Sequence, residues 1–252
     1  MPLEIVTLRK RPDLRAAIFA EEIQLSAFPE FMRHDRVADL YYAPGCLDRY
    51  FDFVLAGLDD GKVVARAFSV PFAFNIEGRT ELPDAGWDEV IRWAHEDHLL
   101  GRNPNAVSAL EISLLPKARG AGHSRTMLQA MKANASALAF PDLYVPLRPN
   151  EKHRQPHLPM AEYVKQVRAD GLPADAWLCT HVRAGGRIAK IAPCSMTIVG
   201  TVAEWTRWTA MTFSDSGSFT VDGALTPVKI SLEHDQGIYV EPNIWVHHML
   251  RQ

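Results

Sequence analysis

Leu110-Glu111-Ile112-Ser113-Leu114-Leu115-Pro116-Lys117-Ala118-Arg119-Gly120-Ala121-Gly122-His123-Ser124-Arg125 is a strand-like run that breaks into a basic glycine loop and then opens a helix. Gly120 and Gly122 let the backbone come close to a ligand, and the helix, Ser124 to about Ala139, turns unpaired N–H groups and a positive dipole end toward an anion. No Asp or Glu stands between Ile112 and Pro141, where Lys117, Arg119, Arg125 and Lys132 sit in a chain of net charge −3. The stretch therefore reads as a pyrophosphate cradle. A G-x-x-x-x-G-K-[ST] phosphate loop needs a Lys after its second glycine, which is absent. A G-x-G-x-x-G dinucleotide loop needs a third glycine where Arg125 stands.

Elements placed around the loop follow from composition and period. Pro2 to Leu8 predicts a strand, and Pro12 to about Leu25 a helix with an apolar stripe through Leu14, Ile18 and Ile23. Tyr50–Leu58 and Lys62–Phe74, joined by Asp59-Asp60-Gly61, predict a β-hairpin. Val107–Leu115 is the strand before the loop, and Met127, Leu128, Met131, Ala135 and Leu138 give the following helix its buried face. Leu143–Leu147 is a short apolar strand after the Pro141-Asp142 break.

Arg119-x-x-Gly122-x-Ser124, in this order of elements, resembles the R/Q-x-x-G-x-G/A acetyl-CoA loop of the GNAT superfamily of N-acetyltransferases. Ser124 departs from the usual Gly or Ala but stays small. The order of elements matches over roughly Leu3 to Ile191; only the Pro116–Arg125 loop is motif-specific. The stretches Ser195–Trp205 and Tyr239–His248 resemble a subgroup with a C-terminal extension. The resemblance implies an α+β fold, a mixed and mostly antiparallel sheet flanked by helices. It divides the chain into a core over 1–192, with insertions at 28–47 and 75–106, and an extension over 193–252. It also implies acetyl-CoA or a close acyl-CoA as co-substrate, held by Arg119, Gly120, Gly122, His123, Ser124 and Arg125. Backbone near Ser113 and Leu114 would bind the pantetheine arm and the thioester carbonyl where the strand splays, and Asn150 resembles a polar position after the next strand. The activity implied is acyl transfer to an amine in a ternary complex; a non-catalytic CoA-binding module is the alternative.

Such a transfer needs a group to take the proton of the ammonium and one to stabilise the oxyanion. Glu111, the one acid on its strand, lies among Leu110, Ile112, Leu114 and Leu115, an apolar setting that suits a proton acceptor. The other reading is a carboxylate paired with an Arg or His. Strand alternation turns it opposite to Leu110 and Ile112. For the acid that protonates the leaving thiolate, the resemblance points to Tyr163, in the helical stretch Met160–Ala169. Family members place that Tyr about four residues before Gly-Phe, whereas Tyr163 lies eight before Gly171-Leu172, and a packing role is the competing reading.

The extra stretches are where acceptor specificity is expected. Phe28–Leu47 reads as a loop with a short helix offering Phe31, Arg33, Tyr41 and Tyr42 as wall residues. Gly86–Leu100 reads as a helix ended by Gly101, and Leu225–Leu232 and Gly237–Val246 alternate like strands. The 252 residues, 47% hydrophobic and 23% charged, suffice for a full core. No apolar run is long enough for a membrane span, and the N-terminus does not read as a leader, so a cytoplasmic place is expected. Cys46, Cys179 and Cys194 show no C-x-x-C spacing and suit reduced thiols. The histidine pairs His95/His98, His153/His157 and His247/His248 make no H-E-x-x-H pattern, so no metal is expected. Negative net charge argues against nucleic acid as a partner; a homodimer remains open.

Overall fold

The structure is a computed structural model and describes residues 3–250, without the side chains of 25–27; Pro2 of the first expected strand lies outside the described residues. The chain runs β1 (Glu4–Thr7), α1 (Arg15–Ile18), α2 (Glu21–Ala27), α3 (Asp39–Tyr42), β2 (Val54–Asp59), β3 (Lys62–Phe72), α4 (Gly86–Leu100), β4 (Ala106–Leu114), α5 (His123–Ala137) and β5 (Asp142–Leu147). It continues through α6 (Met160–Tyr163), α7 (Ala176–Arg183), β6 (Arg187–Gly200), α8 (Val202–Thr209), β7 (Gly217–Phe219), β8 (Val228–Ser231) and β9 (Gln236–Met249). The strands form one sheet in the order β1-β2-β3-β4-β5-β9-β8-β7, with β6 paired to the other edge of β9. Every pairing is antiparallel except β4 with β5. This is the mixed α+β sheet that the order of elements predicts.

The hairpin turns on Asp60 and Gly61, both at positive φ, the backbone that a two-residue turn requires. α4 spans the expected residues, buries Trp87, Val90, Ile91 and Ala94 at helical spacing, and ends at Gly101 with φ 64°. α5 buries Met127, Leu128, Met131 and Ala135. Helices lie on both sheet faces. One core gathers Phe31, Tyr41, Phe68, Phe72, Trp87 and Trp205 under α3, α4 and α8. The other gathers Leu114, Met127, Met131, Leu147, Leu178 and Val246 under α5 and α7.

Three expectations give way. The helix expected over 12–25 breaks into a 3-10 turn (Pro12–Leu14), α1 and α2, because the Ile18 carbonyl, which a continuous helix gives to Glu22, accepts Arg66 Nη1 at 2.8 Å and Ala20 turns extended. The helix expected over 160–169 stops at Tyr163; a turn around Gly171, φ 75°, then folds Arg168 N–H onto the Leu172 carbonyl at 2.8 Å. The stretch after Pro193 supplies half of β6 and all of β9, and β9 is hydrogen-bonded to β5 from Asp142↔Met249 to Leu147↔Ile244. β9 is therefore an interior strand of the sheet, between β5 and β6. At the far end of β9, Gly237 and Gly200 make room for α8: a Cβ at Gly237 would stand 2.1 Å from the Trp205 indole, and one at Gly200 2.5 Å from Trp208.

Candidate active site

β4 and β5 are in register only at Val107↔Leu143 and Ser108↔Tyr144, while β4 stays paired with β3 as far as Ala65↔Leu114. Beyond Ser108 the two strands diverge. Leu115 N–H is given to Val64 on the β3 side at 2.9 Å, so alternation turns the Leu114 amide into the gap. The Leu114 carbonyl faces the same way and accepts Arg119 Nε at 3.3 Å. Next comes a 3-10 turn, Pro116–Ala118, and then Gly120 and Gly122 at φ 82° and 79°. Gly122 is the N-cap of α5 and offers no side-chain cap, and a Cβ at either glycine would meet open space. His123 and Ser124 form the first turn and Arg125 is exposed. Uncapped N–H groups, a dipole end, open glycines and no acid in the first turn fit a phosphate group.

A cavity of about 390 Å³ starts at the gap and reaches both faces of the sheet. Val145, Leu147, Asn150, Trp177 and His181 line it on the α5 and α7 side, and Phe28, Met32, Tyr42 and Trp87 on the α3 and α4 side. Glu111 and Ser113 stand between. Between Phe68↔Glu111 and Ser69↔Ala109 the β3–β4 register skips Leu110, whose carbonyl accepts Trp87 Nε1 at 3.0 Å. This bulge corrects the expected alternation. Leu110 packs in the α3/α4 core, and Glu111 meets Tyr42, whose ring packs on Phe68 and Trp87, so both side chains take the same face.

Glu111 is paired with Arg66, and both side chains are 6% exposed. Its Oε1 accepts Arg66 Nε and Ser113 Oγ, each at 2.6 Å, while Oε2 accepts only the Tyr42 hydroxyl at 3.4 Å. Oε2 is thus the atom with accepting capacity left. Of the expected wall residues, Arg33 and Tyr42 line the cavity. Phe31 instead packs on Trp205 and Tyr239, and the Tyr41 hydroxyl donates to the Ser69 carbonyl.

The acceptor-facing wall also holds acids that the sequence did not single out. Glu241, fully buried on β9, accepts Arg148 Nε at 2.9 Å, the Tyr239 hydroxyl at 2.7 Å and Asn243 Nδ2 at 3.1 Å. Asp35 and Asp88 are 4% and 2% exposed. Val37 N–H donates to Asp35 Oδ1 and Thr197 N–H to Asp88 Oδ2, while Asp35 Oδ2 and Asp88 Oδ1 have no donor among the described residues. Burial, and then the neighbouring Asp35 carboxyl, pushes Asp88 up to about 9, and burial raises Asp35 as well. Asp88 therefore keeps its proton near pH 7 next to Asp35.

Tyr163 lies elsewhere. Its hydroxyl donates to Asp175 Oδ2 at 2.9 Å, in a buried contact outside the cavity lining, and burial followed by that carboxylate raises it far above an ordinary tyrosine. The histidine that lines the cavity is His181. It shares a 3.0 Å hydrogen bond with His248 through Nδ1 and Nε2, and its own Nε2 has no partner. Burial above all pushes the pair down, to about 3 for His181 and about 4 for His248, so both rings are neutral near pH 7. Among the described residues no His, Cys, Asp or Glu cluster is arranged to hold a metal ion, and no helix is long and apolar enough to cross a membrane.

No family model matches the chain. Among curated proteins it is similar to the arginine N-acetyltransferase avaD of Aspergillus versicolor, with 31% identity over 270 residues that cover 96% of this chain and 92% of that one. Among solved structures it is similar to the loading GNATL domain of CurA from Lyngbya majuscula, with a TM-score of 0.56 and 14% identity over 98% of each chain. It is also similar to the GphF GNAT-like decarboxylase in complex with isobutyryl-CoA, with a TM-score of 0.48 and 18% identity over 87% of this chain and 98% of that one.

Proposed function

Because the chain belongs to the GNAT superfamily of N-acetyltransferases, we propose that it transfers an acetyl or closely related acyl group from coenzyme A to a basic amine by direct attack in a ternary complex. The observation that carries this reading is the opening of β4 from β5 ahead of the uncapped start of α5, with a cavity that runs from the gap to a wall rich in carboxylates. Coenzyme A would lie with its pyrophosphate on the 119–125 loop and its thioester in the gap. There the Leu114 amide is placed to receive charge as the carbonyl oxygen becomes an oxyanion.

The amine approaches from the α3/α4 side. Its ammonium gives a proton to Glu111 Oε2, directly or through a water, while Arg66 and Ser113 hold Oε1 and keep the carboxylate aimed. The nitrogen attacks the thioester carbon, the C–S bond breaks, and the thiolate takes a proton. Tyr163 lies outside the cavity lining and His181 is neutral near pH 7, so that proton comes from water. An arginine acceptor, as in the name of the Aspergillus relative, suits the acids on this wall.

Thiol release from acetyl-CoA tests the reading. Release that depends on added arginine or a similar basic amine is expected. If coenzyme A raises the melting temperature but a broad amine panel releases no thiol, the chain is a CoA-binding module without catalysis. If ATP or NAD stabilises the protein and coenzyme A does not, the donor assignment falls. At a hundred times Kd a bound ligand contributes about 2.7 kcal/mol, easily seen as a midpoint shift.

A further inference from the structure

The acids on the acceptor-facing wall are not equivalent. Glu111 has Arg66, and Glu241 has Arg148, so each carries its own cation. Asp35 lines the cavity, Asp88 lies next to it outside the lining, and neither has such a partner among the described residues. Each commits one oxygen to a backbone N–H, and the remaining two, Asp35 Oδ2 and Asp88 Oδ1, are buried with no donor among the described residues. The charged groups facing this pair from the packed elements are Arg92 on α4, which is engaged with Glu89, and Glu241 on β9. Two carboxyl oxygens left without donors suit a planar guanidinium, which carries parallel N–H donors and a permanent charge.

We propose that Asp35 and Asp88 form the specificity subsite of the acceptor and bind a guanidinium group, which takes the place of the proton held there. This rests on the acyltransferase reading and names the acceptor more narrowly: an amine with a guanidinium at its other end. The exchange is balanced. The proton leaves for solvent, the pair becomes a dianion, and the guanidinium offsets one of its two charges, so the net charge of the site is unchanged and binding releases up to one proton. Above about pH 9 the pair has already lost that proton and the release disappears. An acceptor with an uncharged end gains nothing from the exchange and leaves the two buried carboxyls with that proton.

The test is isothermal titration of the full-length protein, with and without coenzyme A, using arginine and its neutral isostere citrulline in two buffers of different ionisation enthalpy. Both amino acids carry the same α-amine, so any proton lost there cancels in the comparison. Arginine is expected to bind at least about tenfold more tightly than citrulline, a difference of about 1.4 kcal/mol, and to release close to one more proton near pH 7. Asp35→Asn and Asp88→Asn should bring the two ligands within about twofold of each other and remove the extra proton, while coenzyme A binds as before. The Asn amide still reaches the remaining carboxyl, and coenzyme A binding reports that the variants fold. Equal binding of arginine and citrulline to the unmodified protein overturns the proposal, as does discrimination that survives both substitutions. Loss of coenzyme A binding by the unmodified protein would instead sink the acyltransferase reading, and the ligand comparison without coenzyme A still decides the subsite.

Discussion

The strand end and loop that would hold the donor are one contiguous run, Ile112 to Arg125, whereas the acceptor side of the cavity assembles Asp35, Tyr42, Arg66, Glu111 and Glu241 from loops, helices and strands across the chain, with Asp88 next to Asp35. The donor side works through backbone: amides in a gap, two glycines at positive φ and a bare helix end. The acceptor side works through buried charges that hold one another. Backbone recognition tolerates changes of side chain but not of φ; a charge network tolerates changes of φ but not of partner.

Cutting the network at its buried cation separates the two most sharply. Arg66 is 5% exposed and serves both Glu111 and the Ile18 carbonyl, so Arg66→Ala strands a buried carboxylate and should cost about 3–5 kcal/mol in urea unfolding. A loss below about 1 kcal/mol would show the acceptor side to be no network. Glu111→Gln keeps the shape and removes the charge: kcat for amine-dependent thiol release should fall at least about tenfold while coenzyme A still raises the melting temperature. Unchanged turnover would remove Glu111 from the reaction.

Gly122→Ala tests the opposite side. A non-glycine residue at φ 79° costs about 1 kcal/mol, and its Cβ enters the space above the helix end, so KM for acetyl-CoA should rise about fivefold; an equal rise for the amine would blur the division. The smallest effect is a slope. Asp88 is raised, so the folded state holds a proton that the unfolded chain gives up near pH 4. Its contribution to stability therefore declines from about pH 4 to about pH 9. Asp88→Asn should flatten that decline, gaining melting temperature over the unmodified protein at pH 8 and little at pH 5.

The same division governs what the sequence shows. A loop that works through glycine, a missing acid run and a strand-to-helix break carries those marks in consecutive residues, and α4, β4, α5 and β5 were legible beside it because their apolar periods are strong. Glu111 was legible as the one acid on an apolar strand. Arg66 carried the matching signal, a lone cation within Val63-Val64-Ala65-Arg66-Ala67-Phe68, but reading it needs the β3–β4 register. Asp35, Asp88, His181 and Glu241 sit among ordinary polar neighbours, and only the fold brings them to or beside one cavity. Tyr163 misled because spacing to a later glycine does not report a carboxylate such as Asp175 beside it. The C-terminal stretch misled for another reason: position in the chain says nothing about position in the sheet, and β9 lies in its interior.

The bulge at Leu110 has a consequence at the level of the gene. Deleting that one codon would leave the loop, the glycines and every charged residue of the site in the protein, and would restore strict alternation along β4. Ser69↔Ala109 and Phe68↔Glu111 would become consecutive pairs of a regular ladder, and Glu111 would stay on the face of Arg66 and Tyr42. What a single in-frame deletion three nucleotides long would remove is the Leu110 carbonyl that anchors the Trp87 indole, so the acceptor wall would lose that hold while every charged residue stayed in place.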